Sequence, residues 1–193
     1  GSPYEDIFIV TLFTGLREGE VLGLTWDCVD FDKGTILVNK QLHRSQKKGE
    51  GYYFAPPKNN KSRTIRPAPY VMTLLRQQKL VQTQMRLAAG PAWQESGLVF
   101  TNEFGRYISL RAVFDCFKRT VRKVGLPNLR IHDLRHTYAV NSIRAGDDIK
   151  TVQSNLGHAT AAFTLDVYGH FTDDMRQASS QRMEQFISGV LGL

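Results

Sequence analysis

Cysteine is almost absent: Cys28 and Cys116 are the only two in 193 residues, far apart and in no C-x-x-C pair. This excludes a disulfide-stapled secreted scaffold and predicts two small buried hydrophobes in a reduced, cytosolic protein. No activating partner for a catalytic cysteine is apparent. Long apolar runs are also missing. The best, Ile7 to Phe13, is interrupted by Thr11, against the roughly 18 residues that a membrane span needs. There is no signal-peptide pattern; Gly1-Ser2 reads as a tag remnant and is left out of the fold. Repeats and low-complexity segments are lacking. So are a G-x-x-x-x-G-K-S/T phosphate loop and a G-x-S-x-G nucleophile elbow, and the acids form no set for two-metal catalysis.

What is present has globular composition, 41% hydrophobic and 22% charged, in a length that suits one domain. The net charge is +7, a weak pointer to a polyanionic partner. Its distribution says more. Residues 1–34 hold seven acids and two bases, residues 40–67 eight bases and one acid, residues 106–135 eight bases and two acids. Each stretch alone fits a solvated face. Two separated basic segments fit a nucleic-acid groove better.

Hydrophobic spacing predicts helices over Tyr4–Leu12, Glu18–Leu24, Val71–Ala89, Leu110–Val124, His132–Arg144, Asp148–Leu156, Ala161–Tyr168 and Asp173–Leu191. Strand-type sequence occurs at Thr35–Val38, Tyr52–Phe54 and Thr64–Ile65, with turn-like Lys58-Asn-Asn-Lys61 between the last two. The expected class is mainly α with a small antiparallel β-sheet (α+β).

Four of the five histidines fall between 132 and 170, together with Arg135 and Tyr168. His132 and His136 share the spacing of H-E-x-x-H zinc proteases. Asp133, however, is a methylene shorter than the usual base, and Arg135 would adjoin a dication. The third ligand would have to be His158 or His170. Metal-free phosphoryl transfer is the other reading. It needs cations on the nonbridging oxygens, a nucleophile, an acid for the leaving oxygen and further orienting donors. Arginine suits the first task because its charged fork binds phosphate bidentately. Arg17, Lys58, His132, Arg135, His158 and Tyr168 supply these residue types. Four of them also have a plainer reading: Tyr168 as a buried aromatic, His132 as a helix-start residue, His158 as a turn residue, Arg17 paired with Glu20.

The motifs decide between them. Thr14-Gly-Leu-Arg17-Glu-Gly-Glu20, followed by Leu24-Thr-Trp-Asp27, resembles the first arginine box of the tyrosine recombinases (phage-integrase family). Pro57-Lys58-Asn-Asn-Lys61-Ser-Arg63-Thr-Ile65 is similar to that family's lysine-bearing hairpin. His132-Asp-Leu-Arg135 resembles its H-x-x-R box, and Leu156-Gly-His158 with Tyr168 its final box. All four occur in order over nearly the whole chain.

The resemblance implies a site-specific DNA recombinase, an integrase of a mobile element, acting without metal, ATP or other cofactor. Arg17 and Arg135 would clamp the scissile phosphate. Lys58 would protonate the leaving 5′ oxygen, with Lys61 as the alternative. His132 and His158 would hydrogen-bond the phosphate, and Tyr168 would attack to form a 3′-phosphotyrosyl link. Glu20 would buttress the site. Lys61 and Arg63 are expected to contact the DNA backbone. His43, His136 and His170 receive no chemistry.

The implied partner is double-stranded DNA, bound by a homotetramer, with a monomeric free form and accessory DNA-bending proteins also envisaged, and no membrane. The implied setting is the cytoplasm of a bacterial or phage-infected cell. The expected organisation is a catalytic domain over 3–172 and a helix over 173–193 that docks in cis or on a neighbouring protomer. The family's N-terminal DNA-binding region is expected to lie outside this chain. A non-cleaving DNA-binding protein, a zinc hydrolase and a type IB topoisomerase are the rival readings.

Overall fold

The first helix, α1 (Glu5–Thr14), ends because Gly15 takes a left-handed conformation, φ 67°, and its N–H caps the Thr11 carbonyl. Its face of Ile7, Val10, Thr11 and Thr14 is buried, and it packs on α5 (Ile131–Arg144). Arg17 is the N-cap of the short α2 (Glu18–Leu22). These elements come from a computed structural model that describes residues 4–45, 51–58, 60–157 and 172–191.

Among the described residues five short strands follow: β1 (Val29–Asp30), β2 (Thr35–Val38), β3 (Gln41–Arg44), β4 (Tyr52–Ala55) and β5 (Arg63–Ile65). They form two antiparallel sheets, one ordered β1-β2-β5 and one made of β3 and β4. β5 therefore pairs with β2, in the register Ile36 to Ile65, and not with β4. The segment bearing Lys58 consequently links two sheets instead of closing a hairpin. Its start is fixed by Gln41 Nε2, which donates to the Pro56 carbonyl at 2.8 Å.

Among the described residues the remaining α-helices are α3 (Pro69–Ala89), α4 (Leu110–Lys123), α5, α6 (Ile149–Leu156) and α7 (Thr172–Leu191). On α4, Val113, Cys116, Phe117 and Val121 form the buried stripe. Phe114 and Val124, apolar as well, are exposed. Phe114 lies about 100° round the helix from Val113, and Val124 follows the last helical residue. Likewise α3 buries Val71, Met72, Leu74 and Leu75 but leaves Val81 and Leu87 exposed. It runs on past the core once Gln82 has bonded Trp26 Nε1 at 2.6 Å and the Leu98 carbonyl at 2.8 Å.

The main core joins α1, α2, the three-stranded sheet, α3 and α4. A smaller cluster of Ala139, Ile143, Val152 and Leu156 fastens α6 to α5. Both cysteines are buried, as expected, and neither forms a disulfide. The expected helix over Ala161–Tyr168 lies outside the described residues. Among the described residues no helix is long and apolar enough to cross a membrane.

Candidate active site

Arg135 stands on α5 and is 3% exposed. Such burial requires that its donors be matched. Nη1 donates to the Gly15 carbonyl and Nη2 to the Leu156 carbonyl, each at 2.5 Å. Gly15 ends α1 two residues before Arg17, and Leu156 ends α6 two residues before His158. One guanidinium therefore ties its own motif to Gly15 in the first and to Leu156 at the start of the last.

A second tie is centred on Glu20, which is 1% exposed. Its carboxylate accepts from the Arg17 N–H and from Arg17 Nη1, both at 2.9 Å. It also accepts from Arg63 Nη1 at 3.0 Å and from Nη2 at 2.7 Å. Arg63 Nε donates to the Asn155 carbonyl at 2.7 Å. Burial pushes the Glu20 carboxyl up, but Arg63 and then Arg17 outweigh it, so the group lies below its ordinary value and is ionised at neutral pH. Arg63 was expected on the DNA backbone; all three of its guanidinium nitrogens instead bond within the protein.

His132, in the first turn of α5, is lowered from its ordinary value by burial first. The charges of His136, Arg135, Arg130 and Arg17 add to the effect. A neutral imidazole results, set in a field from both arginine boxes. His132 and His136 meet edge to face with ring centroids 4.8 Å apart. Asp133, the base a zinc hydrolase would need, is occupied in starting α5. It accepts the Arg130 N–H at 2.9 Å and Arg130 Nη2 at 2.7 Å. Among the described residues no three His, Cys, Asp or Glu side chains form a metal-sized cluster. The third ligands considered, His158 and His170, lie outside those residues.

Lys58 and Lys61 are exposed on the segment between β4 and β5. Pro57 anchors it by burial, and the Asn60 N–H closes a turn on the Pro57 carbonyl at 2.8 Å. The structure thus gathers Arg17, Glu20, Arg63, His132 and Arg135, and carries Lys58 five residues upstream of Arg63. His158 and Tyr168 lie outside the described residues. Three main-chain carbonyls, of Gly15, Asn155 and Leu156, also build the site, and sequence reasoning missed them because carbonyls carry no residue signature. The one available hint was the glycine beside two of the motifs, Gly15 and Gly157.

The model of the phage integrase family matches residues 4–175. The chain belongs to that family. A tyrosine recombinase XerC-like protein of Caldanaerobacter subterraneus is 32% identical over 180 residues, 88% of this chain and 46% of that protein. The transposase of transposon Tn916 from Enterococcus faecalis is 30% identical over 94% of this chain and 45% of its own length. The chain thus spans about half the length of these relatives. Among solved structures, the Tn1549 transposon integrase in complex with transposon right end DNA superposes with a TM-score of 0.75. It is 26% identical, over 94% of this chain and 59% of that one. The XerA recombinase gives 0.66 at 26% identity, over 92% and 57%. The mainly helical class with small antiparallel sheets is that of these family members.

Proposed function

We propose that this chain is the catalytic domain of a site-specific DNA recombinase, an integrase of a mobile element. It cleaves and rejoins strands through a 3′-phosphotyrosyl intermediate. The observation that most supports this is the Arg135 guanidinium, which ties the Arg17 turn to the end of α6 just before His158. The two arginine boxes and Leu156, where the final box starts, are thereby held together, which suits a phosphate clamp.

In the reaction, Arg17 and Arg135 hold the nonbridging oxygens of the scissile phosphate. The Tyr168 oxygen attacks phosphorus and the bond to the 5′ oxygen breaks. Lys58 supplies the proton that leaves with that oxygen, and His132 and His158 hydrogen-bond the phosphoryl group. An unperturbed tyrosine, with a pKa of about 10, is a poor nucleophile at neutral pH; nearby cations favour its phenolate. A 5′ hydroxyl from a second strand reverses the step. The phosphotyrosyl link conserves the bond energy, so no ATP is consumed.

The partner is double-stranded DNA, engaged by a homotetramer. The exposed Met183, Phe186, Ile187, Val190 and Leu191 of α7 support assembly between copies. The test is covalent trapping on nicked suicide duplexes carrying the element's ends, in EDTA, with wild type and Tyr168→Phe run side by side on a denaturing gel. An adduct from wild type alone is expected. Normal strand joining by Tyr168→Phe would overturn the mechanism, and an adduct that needs added metal would overturn the metal-free chemistry.

A further inference from the structure

Arg63 follows Lys58 by five residues and lies in a basic stretch, yet its side chain is only 9% exposed. Its two terminal nitrogens form a fork on the Glu20 carboxylate, and its Nε bonds the last turn of α6 through Asn155. The same carboxylate holds both the backbone and the guanidinium of Arg17. A single buried carboxylate therefore sits between two guanidinia, Arg17 partly exposed and Arg63 enclosed. An enclosed carboxylate is tolerated only with such pairing.

Gly157 completes the enclosure. Its φ is +65°, and a Cβ there would lie 3.0 Å from Arg63 Nη1. The turn that leads into His158 is thus shaped around the Arg63 side chain. Arg63 touches the supports of three motifs: Glu20 behind Arg17, the end of α6 before His158, and its own strand downstream of Lys58.

We propose that Arg63 is a positioning residue that acts through Glu20 to fix the Arg17 guanidinium, and through the Asn155 carbonyl to fix the approach to His158. This rests on the reading of the site as a phosphoryl-transfer centre. It gives Arg63 a task distinct from neutralising a DNA phosphate.

Two variants test it: Arg63→Met, which keeps the stem and removes the charge, and Arg63→Lys, which keeps the charge and removes the fork. Three readouts are needed: duplex affinity at several salt concentrations, single-turnover adduct formation on prebound suicide duplex, and carbon-13 NMR titration of the Glu20 carboxyl. For Arg63→Met, affinity and salt slope should hold while adduct formation falls about 10²-fold, as for misplaced catalytic groups. The Glu20 titration should move up. Arg63→Lys should restore part of that titration and little of the rate.

A salt slope smaller by about one, with normal cleavage once bound, would make Arg63 a phosphate contact and overturn the proposal. An unmoved Glu20 titration would overturn it as well. If Arg63→Met fails to fold, Arg63→Lys carries the same three readouts. Absence of an adduct from wild type counts against the phosphoryl-transfer reading alone, and the Glu20 titration still decides the role of Arg63.

Discussion

Arg135 and Gly15 stand 120 positions apart in sequence, and the Arg135 Nη1 donates to the Gly15 carbonyl at 2.5 Å. The bond makes a residue proposed for the phosphate clamp a structural cross-link as well. Arg135→Ala should therefore lose stability in addition to strand cleavage. The Gly15 and Leu156 carbonyls would lose their donor, at roughly 1–3 kcal/mol for each buried group left unsatisfied. Urea denaturation checks this. A wild-type midpoint in Arg135→Ala would mean that these bonds do not hold the loop.

Glu20 makes the stability pH-dependent in a definite sense. Its folded-state value is below the ordinary one because the Arg63 and Arg17 bonds outweigh burial. The unfolded chain therefore takes up the proton first as pH falls. The contribution is fully present above the unfolded value, about 4.3, and is lost as pH drops through the lower folded value. At neutral pH, Glu20→Gln should cost about 3–5 kcal/mol, because it leaves Arg63 buried without its counter-charge. Urea titrations at a series of pH values should show the gap to wild type closing on the acid side. A gap that stays constant would mean that Glu20 is not the titrating group.

Much of this was legible in the sequence because it depends on local pattern. The periodicity of α4 and α5 and the glycines closing α1 and α6 mark those helices within a few residues. The motifs likewise pointed to Arg17 and Arg135. What was not legible depends on distant partners. Strand β3, Gln41–Arg44, has little β-type sequence and forms because β4 pairs with it. The Tyr52–Phe54 and Thr64–Ile65 runs suggest a hairpin to each other, but β2 competes successfully for β5. Arg63 looks like a surface cation until its partners Glu20 and Asn155, 43 and 92 positions away, are in place.

The seat of β3 gives a packing prediction. A Cβ on Gly23 would lie 2.7 Å from the Leu42 backbone nitrogen, and one on Gly19 would lie 3.0 Å from the Leu42 carbonyl. Backbone meets backbone here, so no side chain can move aside. Gly23→Ala should destabilise by about 1–3 kcal/mol, the usual range for overpacking, and should displace α2 with its Arg17 cap. Thermal unfolding measures the first effect. The single-turnover cleavage rate measures the second. A Gly23→Ala protein with unchanged stability would show that α2 and β3 do not approach this closely.

His132 gives the last prediction. Burial, and then the charges of His136, Arg135, Arg130 and Arg17, hold its imidazolium form in check. The imidazole thus stays neutral to a lower pH than an ordinary histidine, whose value is about 6.5. If neutral His132 orients the phosphate, the acid limb it contributes to the cleavage rate should fall below that value. His136→Gln removes the largest of the charge contributions without touching Arg17 or Arg135. It should move the limb to higher pH, because imidazolium formation at His132 becomes easier. Rates of adduct formation on prebound duplex across the acid-to-neutral range read this directly. A limb that ignores His136→Gln would assign the titration to another group.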